Sequence, residues 1–325
     1  MKLQLRATLC KGLLLVLAAF SVNAVAQSFP TKPIRLILPF APGGVADITA
    51  RIMAQKMTEN VRQQVVIENR PGAGMIASAQ AVLQAQPDGH IMVVAGNGTA
   101  ISTVLFKKLP YDILTDFIQL STLAYFDLVM VTSPESRFKS VGEVISFARA
   151  NPGKLNVGSI SVGSTQHLTA ELFKSLAGVD VQVVPFKASP DMLLALRSSS
   201  LDVGFEILPA VITQVRSNAV RLLGVAGGSR LAALPNAPTI AESGVPGFLA
   251  SSWNGISTRS GTPRPRVERL SREINRALQD PGVIQKMAEL GAEAKGSTPE
   301  EARKLMIETI AKWKKVIEEA NIPLQ

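Results

Sequence analysis

The run from Ile34 to Met57 constrains this chain more than any other. Ile34, Leu36, Ile37 and Leu38 make a short apolar stretch of the kind that forms a strand buried on both faces. It stops at Pro39 and turns through Ala41-Pro42-Gly43-Gly44, after which Val45, Ile48, Ile52 and Met53 recur at helical spacing with Asp47, Arg51 and Gln55 opposite. A strand entering a helix through a Pro-Gly-Gly turn is the first half of a βαβ unit, so the spacing predicts an α/β fold with parallel strands. Glycine lets the backbone approach a ligand closely. The unpaired N–H groups of a first helical turn favour an anion. A small carboxylate or phosphate suits such a turn; the alternative is a plain βα connection.

The pattern recurs along the chain. A strand over 64–68 leads through Asn69-Arg70-Pro71-Gly72-Ala73-Gly74 into a helix over 76–85. A strand over 91–95 ends in Gly96-Asn97-Gly98-Thr99, read as a second glycine-containing turn beside the first, at the carboxyl edge where open α/β sheets bind ligands. Another apolar strand covers 128–132. From Val141 the pattern restarts: a helix over 141–149, a turn at Asn151-Pro152-Gly153, a strand over 155–157, then a polar loop from Gly158 to His167 and a helix through Leu168, Leu172 and Phe173. In that loop Ser159, Ser161, Ser164 and Thr165 add hydroxyl donors to the backbone N–H groups, which suits an anionic or polar ligand and equally suits a capped helix start. Strands follow over 181–184, 201–206 and 221–226, with a helix over 191–197. Lys187 and Glu206 fall at strand ends, where a solvated surface charge is the commoner role and a ligand contact the alternative. Pro235, Pro238 and Pro246 mark an irregular segment, and residues 252–256 lead into a tail read as wholly helical, over 265–278, 281–290 and 299–320. Met306, Ile310, Trp313 and Ile317 share one face of its last helix, which predicts packing on its own domain.

The N-terminus reads as an export signal. Lys2, Arg6 and Lys11 precede an apolar run over 12–20, and Ala24-Val25-Ala26 is a small-residue cleavage pattern, so residues 1–26 are expected to be a cleaved signal peptide. The one cysteine, Cys10, precedes the apolar run, where a lipidated cysteine would follow it. The mature chain therefore carries no disulfide, no thiol nucleophile and no cysteine metal site. Export without disulfides points to a bacterial periplasm.

Composition excludes several classes. The formal charge of +9 falls to about +6 without the signal, its Lys and Arg are scattered, and two Trp and two Tyr give no aromatic–basic surface; nucleic acid is not an expected partner. The two histidines, His90 and His167, form no metal-ligand pattern, so no metal is expected. Gly72-Ala73-Gly74-Met75-Ile76-Ala77 matches G-x-G-x-x-A, but Asn-Arg-Pro separates it from its strand and Asp88 comes too early for a ribose carboxylate; no nucleotide or other cofactor is expected. The nucleophile elbow G-x-S-x-G lacks its first glycine around Ser161, which leaves a secreted α/β hydrolase using Ser161 or Ser164 as the weaker alternative.

A set of short motifs then runs in order along nearly the whole mature chain: Pro30-Thr-Lys-Pro-Ile-Arg35, Pro39-Phe-Ala-Pro-Gly-Gly44 with Asp47, Glu68-Asn-Arg-Pro-Gly-Ala-Gly74, Pro87-Asp-Gly89, Leu109-Pro-Tyr111, Asp116-Phe117, Gly163-Ser164 with His167-Leu168, Pro185-Phe-Lys187, Leu234-Pro235, Pro238-Thr239, Glu242 and Trp253-Asn-Gly255. With these the chain resembles the Bug-type periplasmic solute-binding receptors of tripartite tricarboxylate transporters. The resemblance implies a type II periplasmic-binding-protein fold, two α/β lobes joined by two crossover strands with a ligand cleft between them. The crossovers are expected near 126–132 and 251–257, giving a discontinuous lobe one (27–127 and 252–325) and lobe two (128–251). It also implies a small carboxylate ligand, such as a dicarboxylate or amino acid, held partly through water and the amides of the first loop, and lobe closure recognised by transporter membrane subunits or a sensor kinase. The chain departs from the family pattern at Met75, Ala188, Asp191, the Arg197-Ser-Ser-Ser200 turn and Glu206.

The expectation is thus a non-enzymatic, monomeric periplasmic receptor. Pro42, Gly43 and Gly44 would contact one carboxylate with Asp47 fixing the loop, and Asn97 and Thr99 would complete the lobe-one side. Ser159, Ser161, Gly163, Ser164 and Thr165 would face them from lobe two, and Glu206 would suit an amine or hydroxyl and repel a second carboxylate. A receptor that signals to a two-component sensor without feeding a transporter remains the alternative role.

Overall fold

In the computed structural model, which describes residues 29–231 and 234–325, the first strand, β1 (Ile34–Leu38), exposes only Arg35. Two-sided burial follows from its place: it pairs in parallel with β2 (Val65–Asn69) on one side and β3 (Ile91–Gly96) on the other. The signal peptide expected over 1–26 lies outside the described residues. Residues 32–325 form one compact unit.

One strand organises that unit. β4 (Phe117–Thr132) is 16 residues long and serves both halves of a ten-stranded sheet. Over 117–127 it pairs antiparallel with β9 (Ser251–Arg259), which in turn pairs antiparallel with β3, so lobe one has the order β2-β1-β3-β9-β4. Over 128–132 the same strand lies between β7 (Val203–Ile207) and β8 (Arg221–Val225), both antiparallel to it. β5 (Asn156–Ile160) and β6 (Gln182–Phe186) then extend lobe two in parallel with β7. β4 changes partners between Asp127, the last residue paired with β9, and Leu128, the first paired with β7. The sequence places only 128–132 in this strand because its first part is polar at Gln119, Ser121 and Thr122, all of which are buried and hydrogen-bonded.

Helices cover both faces. In lobe one they are α1 (Val45–Val61), α2 (Ile76–Leu83) and α3 (Asn97–Leu105); in lobe two, α4 (Val141–Ala150), α5 (Thr165–Ala177), α6 (Ser189–Arg197) and α7 (Leu208–Arg216). The tail adds α8 (Arg264–Leu278), α9 (Pro281–Glu289) and α10 (Pro299–Glu319). It is not wholly helical as the sequence suggests: after α9 the chain turns at Gly291 (φ 74°) and the two-residue strand β10 (Glu293–Ala294) pairs with β4 at Tyr125 and Ala124. Two residues carry no periodicity, so the sequence hides it. Residues Asn97 to Thr99 are likewise the first turn of α3 and not a loop; Thr99 Oγ1 accepts the Gly96 N–H at 3.2 Å and closes the helix start.

Lobe one is packed around Ile37, Val93, Ile113, Phe117, Trp253 and Met306, and lobe two around Phe173, Phe205 and Phe248 on one face of its sheet and Met192, Leu196 and Val211 on the other. The apolar face predicted for α10 is real: Met306, Trp313 and Ile317 are buried, and a capping box between Thr298 and Glu301 fixes the start of the helix. Each such buried side chain contributes about 1.5–3 kcal/mol. A separate cluster of Ile101, Leu105, Trp313, Val316, Ile317 and Ile322 takes in Leu168 of α5, so lobe two packs directly on α3 and α10.

Candidate functional site

Both lobes present strand ends and helix starts at the carboxyl edge of the sheet, and the two predicted loops lie there. In lobe one Pro42, Gly43 and Gly44 are exposed. Gly43 has φ +82°, a conformation that glycine adopts without strain, and a Cβ there would meet nothing within 4 Å. The loop is held from below by Asp47, which is 3% exposed. Its Oδ2 accepts the Gly43 N–H and Arg51 Nε, both at 2.9 Å, and its Oδ1 accepts Asn69 Nδ2 at 2.9 Å. Asn69 also donates to the Phe40 carbonyl at 3.1 Å. Burial works to raise the Asp47 pKa, but the bonds from Arg51, Gly43 and Asn69 prevail and hold the carboxyl below its ordinary range. The carboxylate therefore stays charged, matched by Arg51, and no side chain caps the first turn of α1.

The lobe-two loop is built differently. Ser164 caps α5: its Oγ accepts the His167 N–H at 3.1 Å and donates to the Ile160 carbonyl. Ser161 is exposed at φ +26°, and its N–H donates to the Phe186 carbonyl at 2.8 Å. Ser159 is fully buried at the end of β5, and its hydroxyl has no hydrogen-bond partner. Gly163 faces the other lobe: a Cβ on it would come 2.5 Å from Leu105 Cδ2. His167, in the first turn of α5, has its pKa lowered by burial.

The residues expected to finish the two sides meet each other. Asn97 Nδ2 donates to Thr165 Oγ1 at 2.7 Å, and Asn97 Oδ1 accepts the indole N–H of Trp313 at 2.9 Å. Thr165 Oγ1 also lies 3.4 Å from Ser252 Oγ. Thr99 is turned into its own helix start, with its hydroxyl 3.6 Å from Met75 Sδ. No hydrogen bond among the described residues joins 42–44 to 159–165. Sequence reasoning passed over Trp313 as an ordinary core residue and passed over Gln166 and Ser252 altogether; polar residues at a helix N-terminus and at a strand start were the available signal.

Glu206 is not the solvated charge that its place at a strand end suggests. It has no exposed surface. Its Oε1 accepts Gln166 Nε2 at 2.6 Å and the Ile207 N–H at 2.8 Å, while Oε2 is buried without a hydrogen bond of ordinary geometry. Burial raises its pKa, against the opposing pull of the Ser189 hydroxyl, Gln166 and the Ile207 N–H. Lys187, by contrast, is exposed.

A groove of about 330 Å³ lies elsewhere, between the C-terminal ends of α5 and α10, beside Glu171, Lys174, Asp180 and Glu319. It is open and lined by charged helix ends, at the opposite end of α5 from the loops. The convergence of strand ends, exposed glycines and an uncapped helix start is the stronger indication of a site. Among the described residues no cluster of His, Cys, Asp and Glu could hold a metal, and no helix is long and apolar enough to cross a membrane.

Comparison with known proteins finds relatives of the same fold. The family described as "Tripartite tricarboxylate transporter family receptor" matches residues 49–322. Protein BugT of Bordetella pertussis (strain Tohama I) is 31% identical over 316 residues, 97% of this chain and 97% of that protein. Among solved structures, R. palustris Rpa4515 with adipate has a TM-score of 0.84 at 32% identity, covering 91% of this chain and 99% of the other. MatC from Rhodopseudomonas palustris with bound malate has a TM-score of 0.80 at 30% identity, covering 89% and 100%.

Proposed function

The chain belongs to the tripartite tricarboxylate transporter receptor family, a family of solute receptors and not of enzymes, and from that premise we propose that it captures a small carboxylate-bearing solute in the periplasm and presents it to the membrane subunits of a transporter of that class. Residues 1–26 direct export and are removed. The lobes divide near 127/128 and 251/252, and the monomer closes over its solute.

The observation that carries this reading is the asymmetry of the two loops. The start of α1 has no side-chain cap at the exposed Gly44, on a turn whose Gly43 N–H is taken by a buried, charge-matched Asp47. An anion there gains the uncapped N–H groups and the positive end of the helix dipole. At α5 Ser164 already caps the helix, so lobe two contributes polar contacts from Ser161 and its neighbours and not a second open anion seat. One carboxylate of the solute rests on Pro42-Gly43-Gly44, and the rest of the solute faces lobe two. The adipate and malate in two structural neighbours support a carboxylate class for the solute.

A thermal-shift screen of the chain against mono-, di- and tricarboxylates and amino acids tests this. A solute that binds only the folded state at 100 times its Kd adds about 2.7 kcal/mol of stability, a readily visible rise in midpoint. Gly43→Val, which forces a branched residue into a left-handed turn, is expected to abolish the rise. Protein refolded from denaturant to strip any carried solute, and then raised by no carboxylate, would sink the proposal.

A further inference from the structure

The contact between Asn97 and Thr165 joins the two lobes, and what surrounds it decides what it is for. On the lobe-one side Asn97 begins α3 and is held by the Trp313 indole N–H at 2.9 Å. α3 and α10 are themselves fastened together: the Gln325 N–H donates to the Leu105 carbonyl at 2.9 Å, and the Lys107 N–H donates to the Gln325 carbonyl at 3.0 Å. On the lobe-two side Thr165 is the first residue of α5, and Leu168, one turn on, is fully buried among Ile101, Leu105 and Trp313. The contact is therefore a dry, hydrogen-bonded plug with an apolar collar. Pulling it apart would bare Leu168 and Leu105 and leave the indole and amide to find water.

Its position is equally informative. Thr165 Oγ1 lies 3.4 Å from Ser252 Oγ, and Ser252 pairs with Phe126 of β4. That is one residue before Asp127, where β4 leaves lobe one. On the adjoining side Lys312 of α10 donates from Nζ to the Leu249 carbonyl at 3.0 Å, in the segment that returns from lobe two. A point beside both passages of the chain moves least when the lobes rotate.

We propose that Asn97 and Thr165 are positioning residues that form the pivot on which the cleft opens, and that they act on solute binding by fixing the lobes' axis of rotation. The contact persists with the cleft open. The tail helix α10 sets the axis through Trp313.

The test needs no solute, so its failure is separable from failure of the carboxylate reading. In the mature protein, which lacks Cys10, the single cysteine, with the rest of residues 1–26, spin labels are placed at Gln80→Cys and Leu194→Cys, on α2 and α6 of opposite lobes. A second pair is placed at Ser175→Cys and Glu319→Cys, across the groove between α5 and α10. Pulsed electron–electron distance measurements are expected to give a 175–319 distribution that is single and narrow, and an 80–194 distribution at least about twice as broad. Asn97→Ala or Thr165→Val should broaden the 175–319 distribution toward that of 80–194, and Thr165→Ser should restore it. A melting midpoint within a few degrees of the parent shows that the variants are folded. A 175–319 distribution as broad as 80–194 in the parent overturns the proposal, because the contact then opens with the cleft. Distributions narrow at both pairs, or a 175–319 distance indifferent to Thr165→Val, overturn it as well.

Discussion

Asn97 Nδ2 lies 2.7 Å from Thr165 Oγ1, and its Oδ1 lies 2.9 Å from Trp313 Nε1. One amide thus joins the start of a helix in each lobe to the C-terminal helix. Asparagine is suited to this because its side chain donates and accepts at once. An Asp in its place could accept from Trp313 but could donate nothing to Thr165.

Trp313 separates packing from hydrogen bonding at this point. Trp313→Phe keeps most of the buried ring but removes the donor to Asn97 Oδ1, leaving a 2%-exposed amide oxygen without that bond. The expected loss is about 1–3 kcal/mol of unfolding free energy. Trp313→Ala also opens a cavity among Ile101, Leu105 and Ile317 and is expected to cost about 3–5 kcal/mol. Urea titration of the two variants checks this; a Trp313→Phe protein as stable as the parent would mean that the indole N–H contributes nothing.

Gly163 provides a second test of the lobe contact. Its φ of +84° and the 2.5 Å approach of Leu105 Cδ2 to any Cβ are separate obstacles to a side chain. Gly163→Ala is expected to cost about 1–2 kcal/mol for the backbone alone, and more for the displaced Leu105. Leu105→Ala made together with Gly163→Ala should show a coupling of at least about 0.5 kcal/mol in a double-mutant cycle. Strict additivity would place Leu105 away from the glycine in solution.

The elements that were legible in the sequence are those whose residues obey a local rule. The strand at Ile34–Leu38 is a continuous apolar run, the turn after it needs glycine at φ +82°, and α10 carries its apolar residues at helical spacing. What stayed hidden depends on partners far along the chain. The first part of β4 is polar and becomes buried only because Gln119, Ser121 and Thr122 find acceptors in other segments or in the local backbone. Glu206 reads as a surface charge until Gln166, forty positions away, is seen to bond it. Asn97 and Thr165 each stand in the sequence as polar residues after a strand, but no spacing rule says that two residues 68 positions apart will bond to each other.

Acid should weaken the fold through Asp88. Burial raises its pKa, but the Lys32 ammonium at 2.9 Å, the His90 N–H at 3.0 Å and the charge of His90 outweigh it, and the carboxyl sits at about 2 in place of 3.8. A folded-state pKa below the unfolded one gives stability that is present above pH 3.8 and is lost as pH falls toward 2. Lys32 is largely exposed, so solvent screening reduces the effect to about 1 kcal/mol. Asp88→Asn should lower stability at pH 6 by that amount and leave it unchanged near pH 2. A parallel offset between the two proteins across this window would show that the carboxylate charge is not the cause.

Glu206 gives the opposite pH dependence and bears on the solute. Its pKa is raised by burial, so its contribution to stability is complete below the ordinary carboxylate range and is lost as pH rises through the folded value. Glu206→Gln keeps an oxygen for Gln166 and Ile207 and removes the ionisable group. The variant is expected to match the parent near pH 4 and to melt progressively higher than it as pH rises to 8. Above the folded-state pKa, the same change removes a negative charge from beneath the lobe-two side of the cleft. If a dicarboxylate places its distal group there, its midpoint shift at pH 8 should grow in Glu206→Gln relative to that of a monocarboxylate, because like charges no longer oppose each other across the buried site. A stability difference that does not vary with pH would mean that burial does not raise the Glu206 pKa, and equal gains for both solute classes would mean that the distal group lies elsewhere.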